Sequence, residues 1–230
     1  MSKKIISILM SLIVAASLIG CKTAEVNTEK KAETKTEDKV DSSDENLDGK
    51  WAKNYTLEET QKLFKEKLSK VENITKELGV KYQKDEKIKK EKEEPINDNY
   101  IYFDNSNPEV NKIESLYFGM KTYGEKLETG DISLQVSLKF DRESAIKNND
   151  FDLGKTSVKK YIEAFTEQQD RDYTDINKQI ISKLKDGESQ VKINNTIDGL
   201  KEEIIATKDC IIYKLSTKKY KFADGEMSMK

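Results

Sequence analysis

The sequence predicts an α+β fold in which helices pack on one face of antiparallel meander sheet, laid out as one continuous sheet or two small ones. Three observations predict it. A long apolar stripe at helical spacing opens near residue 56, and a strict apolar/polar alternation runs over residues 132–141. The third is an order: helix and then three strands over residues 55–141, and helix and then strands again over 152–222.

The first helix starts at Thr56, with Glu59 three residues later as a capping box. Phe64, Leu68, Val71, Ile74 and Leu78 then recur on one face, and Gly79 supplies a left-handed stop. Lys62, Lys65, Glu66, Lys70, Glu72 and Lys76 form its wet side. Residues 81–95 are a mixed charge run with Ile88 as the lone apolar member of its centre, which reads as a solvated connector ending at Pro95. A short aromatic strand follows at residues 100–103, then a turn at Asp104 to Pro108. Leu116, Phe118, Met120 and Thr122 alternate with Tyr117, Gly119, Lys121 and Tyr123, and Ile132, Leu134, Val136, Leu138 and Phe140 alternate with polar neighbours. Period two with one apolar face means a sheet covered on one side and wet on the other.

In the second half, Val158, Tyr161, Ile162 and Phe165 define a helix with Thr156 as its cap, and Ile176, Ile180, Ile181 and Leu184 define another with Thr174 as its cap and Gly187 closing it. Strands return at Val191 to Ile193, Ile204 to Ala206 and Ile211 to Leu215, separated by turns at Asp198-Gly199 and Lys208-Asp209. Residues 223–230 read as a frayed end. The order of elements is similar to that of secreted inhibitor proteins built from tandem helix-then-sheet units, a likeness that implies no function by itself.

The first residues carry a different message. Lys3 and Lys4 precede an apolar run from Ile5 to Leu18 that is too short to span a bilayer, and it ends at Leu18-Ile19-Gly20-Cys21. This stretch resembles the precursors of bacterial lipoproteins, whose lipobox places a cysteine after a small residue. The resemblance covers residues 1 to about 21. It implies diacylglyceryl transfer to the Cys21 sulfur, cleavage after Gly20, and a mature chain held on the extracytoplasmic face of the cell membrane. Residues 21–50 are then the acylated cysteine and a polar spacer whose composition predicts disorder. Its 29 residues after Cys21 have an average reach near 30 Å. Residues 51–230 remain for a single α+β domain.

Composition narrows the chemistry. The first 20 residues hold two lysines and no acid, so 41 basic and 43 acidic groups become 39 and 43, a net charge of −4. Nucleic acid is therefore not an expected partner. There is no histidine, which removes Ser-His-Asp and Cys-His nucleophiles, H-E-x-x-H metal sites and imidazole acid-base work. Neither a Walker-type nor a dinucleotide-type glycine loop is present, so nucleotides and cofactors are not expected. With Cys21 acylated, Cys210 is the single free thiol and no internal disulfide can form. Its place before an apolar strand reads as a small core residue rather than a nucleophile.

Few side chains stand out as a site. Asp44, Asn46, Asp48 and Gly49 match half of an EF-hand loop, but Tyr55 occupies the position that needs a bidentate Glu, so no metal is assigned. A wall hydrolase needs only two carboxylates; Glu125, Glu128 and Asp131, or Asp98 and Asp104, are the candidates, each in a polar stretch where a solvated acid is ordinary. No catalytic constellation emerges, and an enzyme is not expected. Tyr100, Tyr102, Tyr117 and Tyr123 offer an aromatic platform, of which Tyr117 and Tyr123 fall opposite Leu116 and Phe118 and so face outward on a one-sided sheet. These two define the candidate interaction face, removable with little loss of stability. The function expected is a lipid-anchored binding protein of the cell envelope that meets another envelope protein. A transporter's solute receptor, with two lobes and a hinge, and a carboxylate hydrolase, with a cleft between two acids, are the alternatives.

Overall fold

A computed structural model describes residues 47–91 and 94–222 of the chain. The Cys21 lipobox, Asp44 and Asn46 of the half EF-hand, and the tail at 223–230 lie outside the described residues. The elements are α1 (Leu57–Glu77), β1 (Gln83–Glu91), β2 (Glu94–Asp104), β3 (Ile113–Tyr123), β4 (Thr129–Lys139), α2 (Arg142–Asn148), α3 (Val158–Thr166), α4 (Thr174–Lys185), β5 (Val191–Ile197), β6 (Leu200–Ala206), β7 (Cys210–Ser216) and β8 (Tyr220–Lys221). The fold is α+β. All strands join one antiparallel sheet in the order β1-β2-β3-β4-β7-β6-β5, with β8 pairing β4 beside β7.

Strand β4 joins the halves. Its Leu116-facing edge pairs β3, and on its other edge Ser133 to Lys139 pair Ser216 to Cys210 of β7. The two helix-then-strand stretches are therefore one sheet and not two. Register carries a single apolar face across it: Ile101, Phe118, Leu134 and Leu215 stand in one row, and Phe103, Leu116, Val136, Tyr213 and Ile204 in the next. Helices cover this face. Phe64 of α1 stacks on Phe118 at 5.5 Å, Phe165 of α3 meets Phe118 edge-on at 5.7 Å, and Ile176, Ile180, Ile181 and Leu184 bury the inner side of α4.

Three local expectations change. The charge run 81–95 is no connector but β1 and the start of β2, so the first meander has four strands. An edge strand contributes mainly backbone bonds, and lysines along it guard the edge against pairing with another chain. Ile88 there is 80% exposed. Thr156 and Thr174 do not cap: the Thr156 hydroxyl bonds the Leu153 carbonyl, Thr174 is the first residue of α4, and no side chain caps α3 or α4. Cys210 is on the face away from the helices, half-buried, with its sulfur 3.1 Å from Ser137 Oγ. Burial raises its thiol pKa, so it remains a poor nucleophile for a different reason. By contrast, the Thr56–Glu59 capping box is present in both directions and Gly187 adopts a left-handed φ of 93°.

Two charged clasps fasten the helix layer. At one end the last spacer residues enter the fold as a strap. Lys50 N–H donates to Asp198 Oδ1 (2.7 Å), Trp51 N–H donates to the Asp198 carbonyl (2.9 Å), and the Tyr220 hydroxyl donates to the Trp51 carbonyl (3.0 Å). The approach requires glycine, since a Cβ on Gly49 would lie 2.3 Å from Asp198 Oδ1 and one on Gly199 would lie 2.4 Å from Ala52 N. Trp51 is fully buried against Phe165 at 5.2 Å. Glu167 binds Lys50 (2.6 Å), buried Lys67 and Lys70 (3.3 Å), and bonds from Lys50 and Lys67 hold its carboxyl well below the ordinary range.

The second clasp is inside. Glu202 of β6, with no exposed side-chain surface, faces the helices and takes both guanidinium arms of Arg171 (2.5 and 2.8 Å), the Tyr213 hydroxyl and Asn195 Nδ2 (2.9 Å). Burial alone would raise its carboxyl, but the bonds from Arg171 and Tyr213 outweigh that and lower it. A lowered carboxylate contributes stability above its unfolded value, and the contribution is lost as pH falls through the folded value.

Glu202→Gln is expected to cost about 3 kcal/mol by stranding Arg171, and to weaken the loss of urea resistance that the parent chain shows below about pH 4.5. Trp51→Ala is expected to cost about 3–5 kcal/mol in the same unfolding measurement, which would make the strap part of the core and not part of the spacer.

Candidate functional site

Because the helices take one face, the other face of the sheet is open, and its center is organised by β2, β3 and β4. Register sets four charges of alternating sign side by side across four strands: Lys87, Asp98, Lys121 and Asp131. Opposite charges directly across strands attract, and the row fixes each carboxylate beside an ammonium group. Neighbouring strands are about 4.8 Å apart, so the two acids sit on backbones about 10 Å apart with Lys121 between them.

Tyrosines frame this row. The Tyr117 hydroxyl donates to Asp98 Oδ1 (2.6 Å), and the Tyr123 hydroxyl donates to Asp131 Oδ2 (2.8 Å). Tyr117 reaches Asp98 by lying along its own strand over Gly119, where an added Cβ would be 2.4 Å from the Tyr117 hydroxyl oxygen and 2.9 Å from Tyr100 Cβ. Gly119 is thus a floor under an aromatic ring. Tyr100 stacks on the other side of Tyr117 at 5.5 Å, and Lys87 and Lys89 stand over Tyr100 at 5.6 and 5.9 Å. Lys219 lies 3.8 Å from the Tyr123 ring center.

Electrostatics follow from this packing. Asp98 is only 3% exposed although it belongs to the open face, and Lys89 reaches its second oxygen at 3.4 Å. Burial raises the Asp131 carboxyl, opposed by the Tyr123 hydrogen bond and by Lys121 and Lys219. Burial and the adjacent Asp98 charge together push the Tyr117 phenol far above its ordinary value, so it remains a proton donor.

The structure therefore brings Asp98, Asp131, Tyr117 and Tyr123 together, and separates them from the other nominated acids. Asp104, Glu125 and Glu128 are exposed at strand ends and turns. Tyr117 and Tyr123 do face outward, yet both are half-buried and bonded through their hydroxyls, so Tyr117 carries stability as well as surface. Lys121 was legible only as an alternating polar position, and Gly119 only as a glycine in a strand, a known mark of close approach. In the half EF-hand, Asp48 accepts from Gly49 N–H (2.8 Å) and the Tyr55 hydroxyl donates to the Lys50 carbonyl (3.0 Å), an arrangement that closes the strap. Among the described residues no group of three or more metal-ligating side chains converges. Two shallow depressions, of about 310 and 340 Å³, lie around Phe140 to Glu143 and around Asn149 to Asp152, away from the charge row.

Gly119→Ala is expected to expel the Tyr117 ring, lowering stability by about 1–3 kcal/mol, and Tyr117→Phe to cost a similar amount by leaving Asp98 without its donor. In a Tyr117→Ala background the Gly119→Ala change should cost markedly less, a coupling that denaturant unfolding of the double-mutant cycle will measure.

Comparison with known proteins finds no family model, no curated protein and no solved structure that matches this chain.

Proposed function

We propose that this chain is a lipid-anchored, extracytoplasmic binding protein of the bacterial cell envelope, and that its contact surface is the open face of the sheet. The lipobox at Leu18 to Cys21 supports the anchor, and no helix among the described residues is long and apolar enough to cross a membrane. One observation carries the contact surface: the sheet is covered on one side and preorganised on the other, with Tyr100, Tyr117 and Tyr123 held by stacking and by bonds to Asp98 and Asp131. Fixed aromatic and charged groups lose little freedom on binding, which is how a protein surface becomes specific without a pocket.

The two alternatives fit less well. A solute receptor closes two lobes about a hinge, whereas β4 and β7 pair continuously over seven residues and weld the halves. A retaining or inverting hydrolase works with carboxylates that flank a cleft, whereas Asp98 and Asp131 are separated by Lys121 on a sheet surface and each is already bonded to a tyrosine.

Cells fed a clickable palmitate analogue should label the parent protein and leave Cys21→Ser unlabelled, with the variant leaving the membrane fraction. A chemically crosslinkable residue placed at Lys121 should then give discrete adducts in cells that the same residue at Lys178 on α4 does not. Equal acylation of parent and variant sinks the anchor; identical adducts from both positions sink the open face.

A further inference from the structure

We propose that the open sheet face docks on an anionic lipid bilayer, the same membrane that holds the acyl anchor. This deepens the tethered reading above and rests on it for where the domain sits.

Charge is the first support. The whole chain has 41 basic and 43 acidic groups, but the open face is cationic. Lys87 and Lys89 lie at the β1 edge, Lys121 and Lys139 in the middle, and Lys192, Lys201 and Lys214 toward β5, with Lys219 beside Tyr123. Against these eight lysines stand five carboxylates: Asp85, Asp98, Glu114, Asp131 and Glu203. The carboxylates are also drawn inward. Side-chain exposure is 4% for Asp98 and 24% for Glu203, and 51, 49 and 52% for Lys87, Lys89 and Lys192. An approaching surface meets ammonium groups first.

The distribution chooses between partners. Protein hot spots gather at one central anchor in a pocket, whereas these lysines are spread from β1 to β5, about 29 Å at the usual strand spacing. Such a spread matches a laterally uniform anionic surface. Tyrosine and lysine are also the side chains that settle at a membrane interface, with an apolar body and a polar tip. Tether length permits the contact. Twenty-five residues separate Cys21 from Leu47, and a chain of that length spans on average about 25–30 Å. Anchor and face together make the two signals that hold a peripheral protein firmly.

Cys210 is a built-in reporter, because it is the free thiol of the described chain and lies on this face. The acylated full-length protein is placed in vesicles of phosphatidylcholine, alone or mixed with phosphatidylglycerol, and alkylation of Cys210 by a water-soluble maleimide is timed. Alkylation should be at least fivefold slower on the anionic vesicles, and about 1 M salt should remove the difference. Lys87→Gln/Lys121→Gln/Lys214→Gln should abolish it, while Lys62→Gln/Lys65→Gln/Lys76→Gln on α1, with the same charge change, should keep it. Taking the ratio between vesicle types within each variant cancels any loosening of the fold. Equal rates on both vesicles, protection indifferent to salt or to the open-face lysines, or protection that appears only when an acidic protein is added, each overturns the docking. Protein that stays off phosphatidylcholine vesicles sinks the anchor instead, and sedimentation with anionic vesicles then tests the docking without it.

Discussion

The pairing of β4 with β7 is the contact on which this architecture depends. Ser133 to Lys139 against Ser216 to Cys210 turns two meanders into one sheet, and a single sheet with all its apolar residues on one side forces every helix to that side. The strap, the Glu167 clasp and the Glu202 clasp then fasten the helix layer, while the vacated side is free to carry charge and tyrosine. Placement of the candidate site is a consequence of closure between sequence-distant strands, and not of any local motif.

That division explains what could be read from the chain. Elements whose identity rests on a local period were legible: the α1 stripe with its capping box, the alternation of β4, and the hairpin at Asp198-Gly199 all appear where the pattern puts them. Elements that rest on a neighbour were not. β1 is a strand because β2 offers it a row of backbone partners, and its sequence, with exposed Ile88 and alternating charges, has no face to bury. α2 is one short helix whose Ala145 is its single buried residue, too little for a period. Lys67 occupies a core position in α1 because Glu167, a hundred residues later, compensates its charge. No local window holds both partners.

The site shows the same boundary. Outward placement of Tyr117 and Tyr123 follows from parity alone, but their hydroxyl partners depend on which strands are neighbours and in which register. Asp98 and Asp131 become members of one row only when β2, β3 and β4 align as they do. Once aligned, each acid is neutralised from several sides, so a face of an acidic chain becomes cationic without any basic sequence run. Cys210 illustrates the reverse error, since an apolar neighbour on each alternate position says that a strand is half-buried without saying which half holds the thiol.

The account turns on which face of the domain meets the envelope, and lysine reactivity reads that directly. Acetylation of intact cells with a membrane-impermeant reagent, compared with the detergent-solubilised protein, should show Lys87, Lys121 and Lys214 protected in cells and Lys62, Lys65 and Lys76 of α1 equally reactive in both. Protection of the α1 lysines with the open-face lysines fully reactive would mean that the helices make the contact, and would contradict the assignment of the open sheet face.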